Sequence, residues 1–303
     1  MKQIEKRPSL GKRLWKYRTA YTMCLPFMLI FLTFTIFPVI ASVVLSFTRF
    51  NVLNAPVFIG FTNYTNLFFT DEIFTTAVQN TLVLALITGP LGYFLCFFLA
   101  WIIHDLPHRM RSLLTLVFYV PSIAGNVFAV WLIIFDGDIY GYLNSALLTL
   151  GFIKEPIQWL TDPRYMMAVV VIVQLWMSMG TSFLTMRAGF NTIGVQYYEA
   201  AAVDGIRNRW QELWFVTIPI MVPHLMLSAI LSITATFSAY NVATVMTGFP
   251  STNYATHTIM HHMIDYAYIR FDRGYACAIA TILFLSCYAL NLGIQKALRK
   301  VGR

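Results

Sequence analysis

The chain has 303 residues, of which 58% are hydrophobic and 11% charged, and its net charge is +8. Soluble domains carry about a quarter charged residues, so this composition excludes a water-soluble globule and makes the bilayer the solvent. It gives no support to a nucleic-acid binder either, because basic inner loops explain the positive excess and no basic-aromatic alternation marks a binding face.

Six runs lack Asp, Glu, Lys and Arg, at about 22–47, 79–103, 112–135, 165–186, 214–239 and 275–295. Each exceeds the roughly 20 residues a helix needs to cross about 30 Å of hydrocarbon. Lipid offers backbone amides no partner, so the runs are predicted to be helices. The expectation is an all-α integral membrane protein with six transmembrane helices: a basic N-terminus (1–21), a six-span domain (22–299) and a short tail (300–303).

Before the first run stand Lys2, Lys6, Arg7, Lys12, Arg13, Lys16 and Arg18, with Trp15, Tyr17 and Tyr21 as interfacial anchors. The run is too long for a signal-peptide core and is expected to be retained, bent or started by Pro26 and Pro38. An outer connection with Gly60-Phe61-Thr62-Asn63-Tyr64 leads to Asn80-Thr81 and the second run. Arg109 and Arg111 follow, then a third run opening at Tyr119-Val120-Pro121, with Asn126, Trp131 and Asp136-Gly137. Cys24, Cys96, Cys277 and Cys287 all lie in apolar runs without CxxC spacing, so disulfides and zinc are not expected.

Between the fourth and fifth runs lies a polar, helix-forming stretch, Glu199 to Pro223. Val195 to Asp204 are good helix formers, and Gly205 suits a left-handed stop. Asn208 can cap a second short helix. Ala200, Ala201 and Ala202 keep the first helix slim, and Glu199 and Asp204 charge it. Such an element is either a handle for a soluble partner or a solvated connector. With the N-terminal seven and Arg109 and Arg111 of the second connection, Arg187, Arg207, Arg209 and the C-terminal Lys296, Arg299, Lys300 and Arg303 put sixteen basic residues on the side of this loop and both termini, against five on the other. That places the termini and the loop in the cytoplasm.

Gly189 and Gly194 match the start of a phosphate-binding loop, but Val195 and Gln196 stand where Lys and Ser/Thr are required. No acid lies in any run, which argues against an ion-driven carrier. His224 is either a proton relay or a histidine bonded to carbonyls freed by Pro219 and Pro223. The charge-free runs favour a neutral cargo bound by amides, hydroxyls and rings. Candidates are Asn126 and Trp131, then Gln174, Trp176 and Ser178, then Ser238, Tyr240 and Asn241, with interhelical bonding as the alternative role. His257, His261 and His262 in the last outer connection read as loop surface; an i,i+4 metal pair has no third ligand. No spacing supports hydrolytic catalysis.

Glu199-Ala200-Ala201 with Asp204-Gly205 and a later Pro219 resembles the EAA loop of ABC importer permeases. Tyr197-Tyr198 before it, Trp210-Gln211 after it and the spellings quoted above resemble the maltose-type sugar permeases over most of the chain. Gly205 to Pro219 spans fourteen residues where the family has thirteen, and Phe249 replaces a family Gly in Thr247-Gly248-Phe249-Pro250. The resemblance implies an ABC type I importer permease fold in the bacterial plasma (inner) membrane. Glu199, Ala200, Ala201, Asp204 and Gly205 in a coupling loop at 192–216 would meet the ATPase, and spans four and five would line the sugar route. It also implies a second homologous permease, two ABC ATPase subunits and an extracytoplasmic sugar-binding protein as partners. ATP and magnesium would sit on the ATPases, with no cofactor and no catalysis in this chain. The alternatives are a stand-alone secondary carrier for a neutral solute and a membrane enzyme acting on lipid-linked sugars.

Overall fold

A computed structural model describes residue 15 and residues 17–124, 127–237 and 239–301, the side chains of 298–301 excepted. Among the described residues, five helices are long and apolar enough to cross a membrane: Arg18–Leu45, Glu72–His104, Pro163–Thr192, Arg209–Thr247 and Arg273–Ala297. The pair His108–Ile123 and Phe128–Ile134, bent by 89°, is long and apolar enough only when taken together, and counted as one broken span it is the sixth. We number these spans one to six in chain order, the bent pair being span three.

Two prolines reshape spans in the same way. Pro38 and Pro219 lack an amide hydrogen, and their rings crowd the preceding carbonyls. Each is preceded by a five-residue π-helical widening, Leu32–Ile36 and Leu213–Thr217, that ends two residues before it. The wider turn absorbs the lost bond and lets the helix continue. Span four is broken instead at Met179 and Gly180. A Cβ on Gly180 would lie 2.7 Å from the Ser122 Cβ, so the break lets span three cross closely.

Spans two, four and five form the centre. Near the Glu199 loop, Cys96, Phe97, Phe183, Met186, Phe190 and Met221 are buried together. At the opposite end, Leu84, Val169, Val173, Val242 and Met246 make a second cluster. A third, with Phe74, Ala77, Ile259 and Ile279, ties spans two and six to the last connection. The apolar window of span one is not buried at all against the chain.

The connection after span one is ordered by one amide. Asn63 donates from Nδ2 to the carbonyls of Ser46 (2.8 Å) and Thr48 (2.9 Å). Thr48–Arg49 pairs antiparallel with Val57–Phe58. The Gly274 amide donates to the Phe50 carbonyl at 3.0 Å. A Cβ at Gly274 would collide with the Thr48 carbonyl, so only glycine lets span six start there. Asp71 caps span two by accepting from the Phe74 amide at 3.0 Å, so this helix begins well before the apolar run does.

Candidate functional site

The Glu199 loop is built from two capped helices. The first, Val195–Val203, ends at Gly205 with φ +95. The Ile206 amide donates to the Ala201 carbonyl (3.0 Å) and the Gly205 amide to that of Ala202 (3.2 Å), the paired bonds of a Schellman stop. The second, Arg209–Glu212, is capped by Asn208, whose Oδ1 accepts from the Gln211 amide at 2.8 Å. Gln211 Oε1 in turn accepts from the Arg207 amide at 3.0 Å. Ala201 is buried, while Glu199, Ala200, Val203 and Asp204 face outward.

Four contacts clamp this loop to span two and span five. Arg209 ion-pairs with Asp105 and lies over the Trp101 ring at 5.0 Å. Trp101 meets Trp210 at 5.0 Å between centroids. Tyr198 and Thr217 share a hydroxyl contact of 3.2 Å. Burial pushes the Tyr198 hydroxyl up from its ordinary pKa. Asp105 and Trp101 drew no notice in the sequence, since nothing local links them to a loop a hundred residues away.

The polar residues of the spans have divided roles. Gln174 is buried and donates from Nε2 to the Ala235 carbonyl of span five at 3.0 Å, leaving Oε1 without a partner among the described residues. Ser178 donates to the Leu175 carbonyl (2.7 Å). Trp176 meets Trp131 edge-on at 5.4 Å, and the buried Trp131 Nε1 has no partner among the described residues. Tyr240 packs on His261, and Asn241 is exposed. Ser238 and Asn126 lie outside the described residues. Sequence reasoning missed Ser182, Ser228 and Ser232. Ser182 Oγ donates to the Ser228 carbonyl (3.0 Å) and meets Ser232 Oγ at 2.8 Å, bonding spans four and five. His224 packs beside Gly189, where a Cβ would be 2.9 Å away.

Two expectations need correction. His257, His261 and His262 are not loop surface; none is more than 3% exposed. His262 Nε2 meets Asp71 Oδ2 at 3.0 Å, Tyr275 donates to the same oxygen at 2.9 Å, and His257 meets His262 at 3.4 Å. Phe249 stacks on His257 and His261. Asn80 donates to the carbonyls of Tyr254 and His257, so the second span holds this connection down. Burial, then the neighbouring His261 and His262, lowers His257 to about 3, and burial lowers His261 to about 4. Burial also lowers His262, outweighing the pull of Asp71. Burial raises Asp71, but the Phe74 amide, His262 and Tyr275 together outweigh it and leave it below the ordinary carboxylate value.

The second correction concerns Arg187. A charge-free run stops at the first cation, so the sequence assigned Arg187 to the loop. The helix Thr181–Thr192 instead continues through it, and Arg187 is only 8% exposed. Span four therefore carries a buried guanidinium.

Residues 106–300 match the family described as the binding-protein-dependent transport system inner membrane component. The chain belongs to that family. This permease is 31% identical over 282 residues to the probable ABC transporter permease protein YesP of Bacillus subtilis, covering 91% of this chain and 89% of YesP. It is 30% identical to the sulfoquinovosyl glycerol transport system permease protein SmoG of Agrobacterium fabrum, over 82% of this chain and 80% of SmoG. Its fold matches a chain of a bacterial ABC transporter that imports the acidic polysaccharide alginate, with a TM-score of 0.78 at 22% identity, covering 97% of this chain and 99% of the other. The permease is thus an inner-membrane component of an ABC importer, and its helices follow the importer permease fold.

Proposed function

We propose that this permease is one of two membrane subunits of an ABC importer that moves a saccharide inward, driven by ATPase subunits that grip residues 195–212. One observation carries the reading: a short outward-facing helix, stopped at Gly205 and clamped by Arg209 to Asp105, is a rigid lever rather than a slack connector. Glu199, Ala200, Ala201, Asp204 and Gly205 form its contact end. ATP and magnesium sit on the ATPases. The basic residues put this loop and both termini in the cytoplasm, and an extracytoplasmic binding protein delivers cargo to the opposite face. The relatives' names support a saccharide, among them lactose for a Rhizobium radiobacter permease. Gln174 Oε1, Trp176, Ser178, Tyr240, Asn241 and Trp131, with Ser238 and Asn126, supply the amides, hydroxyls and rings of the route. The machine works by alternating access, with affinity differing between states and no chemistry in this chain.

The test is copurification followed by reconstitution. The tagged chain, extracted in detergent, should bring down an ATPase and a second permease, and liposomes holding that complex should take up sugar only with ATP inside or at the ATPase face. A chain that purifies alone and transports on an ion gradient is a secondary carrier, and the reading fails.

A further inference from the structure

Among the described residues, Arg187 is the one Asp, Glu, Lys or Arg that is buried. A buried cation without a counter-charge costs several kcal/mol unless something compensates it. Its Nε and Nη1 are buried without a hydrogen-bond partner, and among the described residues no carboxylate pairs with it. Asp105 is taken by Arg209.

Arg187 lines a cavity of about 480 Å³ between spans three and four, within the roughly 300–1,000 Å³ of small-molecule sites. Arg111 lines it too, its guanidinium held by the Leu106 carbonyl at 3.0 and 3.2 Å rather than by an acid. The rest of the wall is mostly polar, with Ser112, Thr115, Tyr119 and Asn191. Ser112 and Asn191 are exposed and Tyr119 is half-buried, so their hydroxyls and amide are open to a ligand. Two positive charges, open hydroxyls and an amide suit a polyhydroxylated anion. An acyl chain finds little there, since Leu116 is the only aliphatic residue on that wall. Arg111 and Asn191 also line the adjoining cavity bounded by Tyr198 and Arg209 of the Glu199 loop. Arg187 lies nine residues beyond Ser178 on the same span, past the break at Met179 and Gly180 and toward the Glu199 loop. The site therefore stands between the candidate sugar-facing segment and the lever.

We propose that this cavity is an exit-side binding site for the acid group of an anionic saccharide, such as a uronate, with Arg187 and Arg111 taking the carboxylate. This rests on the saccharide-import reading and narrows it: a counter-charge is present, so the cargo class is acidic rather than neutral.

The experiment uses the complete transporter with its ATPases, second permease and binding protein. Thermal-shift titrations compare digalacturonate with the uncharged galactobiose of the same linkage, for wild type and for Arg187→Met and Arg111→Met. Digalacturonate is expected to stabilise the wild type, galactobiose is not, and Arg187→Met should weaken the acid's apparent affinity about 10- to 100-fold, the loss of a hydrogen-bonded charge contact. Arg187→Met alone should melt at the same temperature as the sugar-free wild type or higher, because it removes an unpaired buried charge. A lower melting temperature would mean that the guanidinium is paired within the assembly, and the proposal fails. It fails equally if the two sugars act alike, or if Arg187→Met changes only the response to phosphatidylglycerol vesicles, which would make this a lipid headgroup site. If liposomes transport galactobiose but not digalacturonate, this inference falls while saccharide import stands. If an intact complex transports neither these nor any other sugar, the import reading itself falls.

Discussion

Gly205 is the position where the lever can be weakened without touching anything else. Its φ is +95, and a Cβ there meets nothing within 4 Å, so the cost of substitution is conformational alone. A left-handed residue with a Cβ costs about 1–2 kcal/mol, and more when the side chain is β-branched. Asn tolerates this region better than other non-glycine residues. Gly205→Asn should therefore be the mildest change, Gly205→Ala should cost about 1 kcal/mol and Gly205→Val about 2–3 kcal/mol. Since each 1.4 kcal/mol is a factor of ten, Val reduces the population of correctly stopped loop by roughly 30- to 150-fold. The assay is sugar-stimulated ATP hydrolysis and uptake in liposomes, with the copurified ATPase measured alongside. Stimulation should fall in the order Asn, Ala, Val, and the spans should melt as in wild type. Full stimulation in Gly205→Val, with the complex intact, would refute the idea that this stop holds the lever in shape.

The histidine cluster predicts a pH dependence. His257 and His261 bind protons only at about 3 and about 4 in the folded chain, against about 6.5 when unfolded. Their contribution is complete above pH about 6.5 and is lost as pH falls, by up to about 1.4 kcal/mol per pH unit for each. The melting temperature of the complex should drop between pH 7.5 and 5, less so in His257→Gln; a flat profile in wild type contradicts the burial argument. Asp71, lowered from 3.8, acts below this window. Asn144 is fully buried and bonds the carbonyls of Asp136, Asp138 and Ile157, the Ile157 amide and the Trp159 indole. Asn144→Ala should cost about 2–4 kcal/mol and expose the 136–160 segment to protease; unchanged protection counts against it. Gln174→Ala removes the bond to Ala235, about 1 kcal/mol of helix association, and should lower sugar-stimulated ATPase further than it lowers the melting temperature. Equal fractional losses would leave Gln174 as interhelical bonding only.

The sequence by itself determined the solvent, the apolar runs that become spans and the two short helices of the Glu199 loop. Hydrophobic length is a local quantity, so the runs reported the spans. Helix stops and caps are also local, so Gly205 and Asn208 were legible as the ends of two short helices, and both have the geometry that their residue types require. Span boundaries were less legible, because an apolar run ends at the first charge while a helix ends where its backbone bonds end. That difference hid Arg187 inside span four and the start of span two at Glu72. Tertiary structure alone decided what the polar residues face. Nothing near His257 in the chain says that Asp71 and Asn80 will come to it from span two, or that Asp105 will meet Arg209. A side chain's charge state and partner depend on residues brought close by packing, and packing between helices is set by non-local fit that no short stretch of sequence contains.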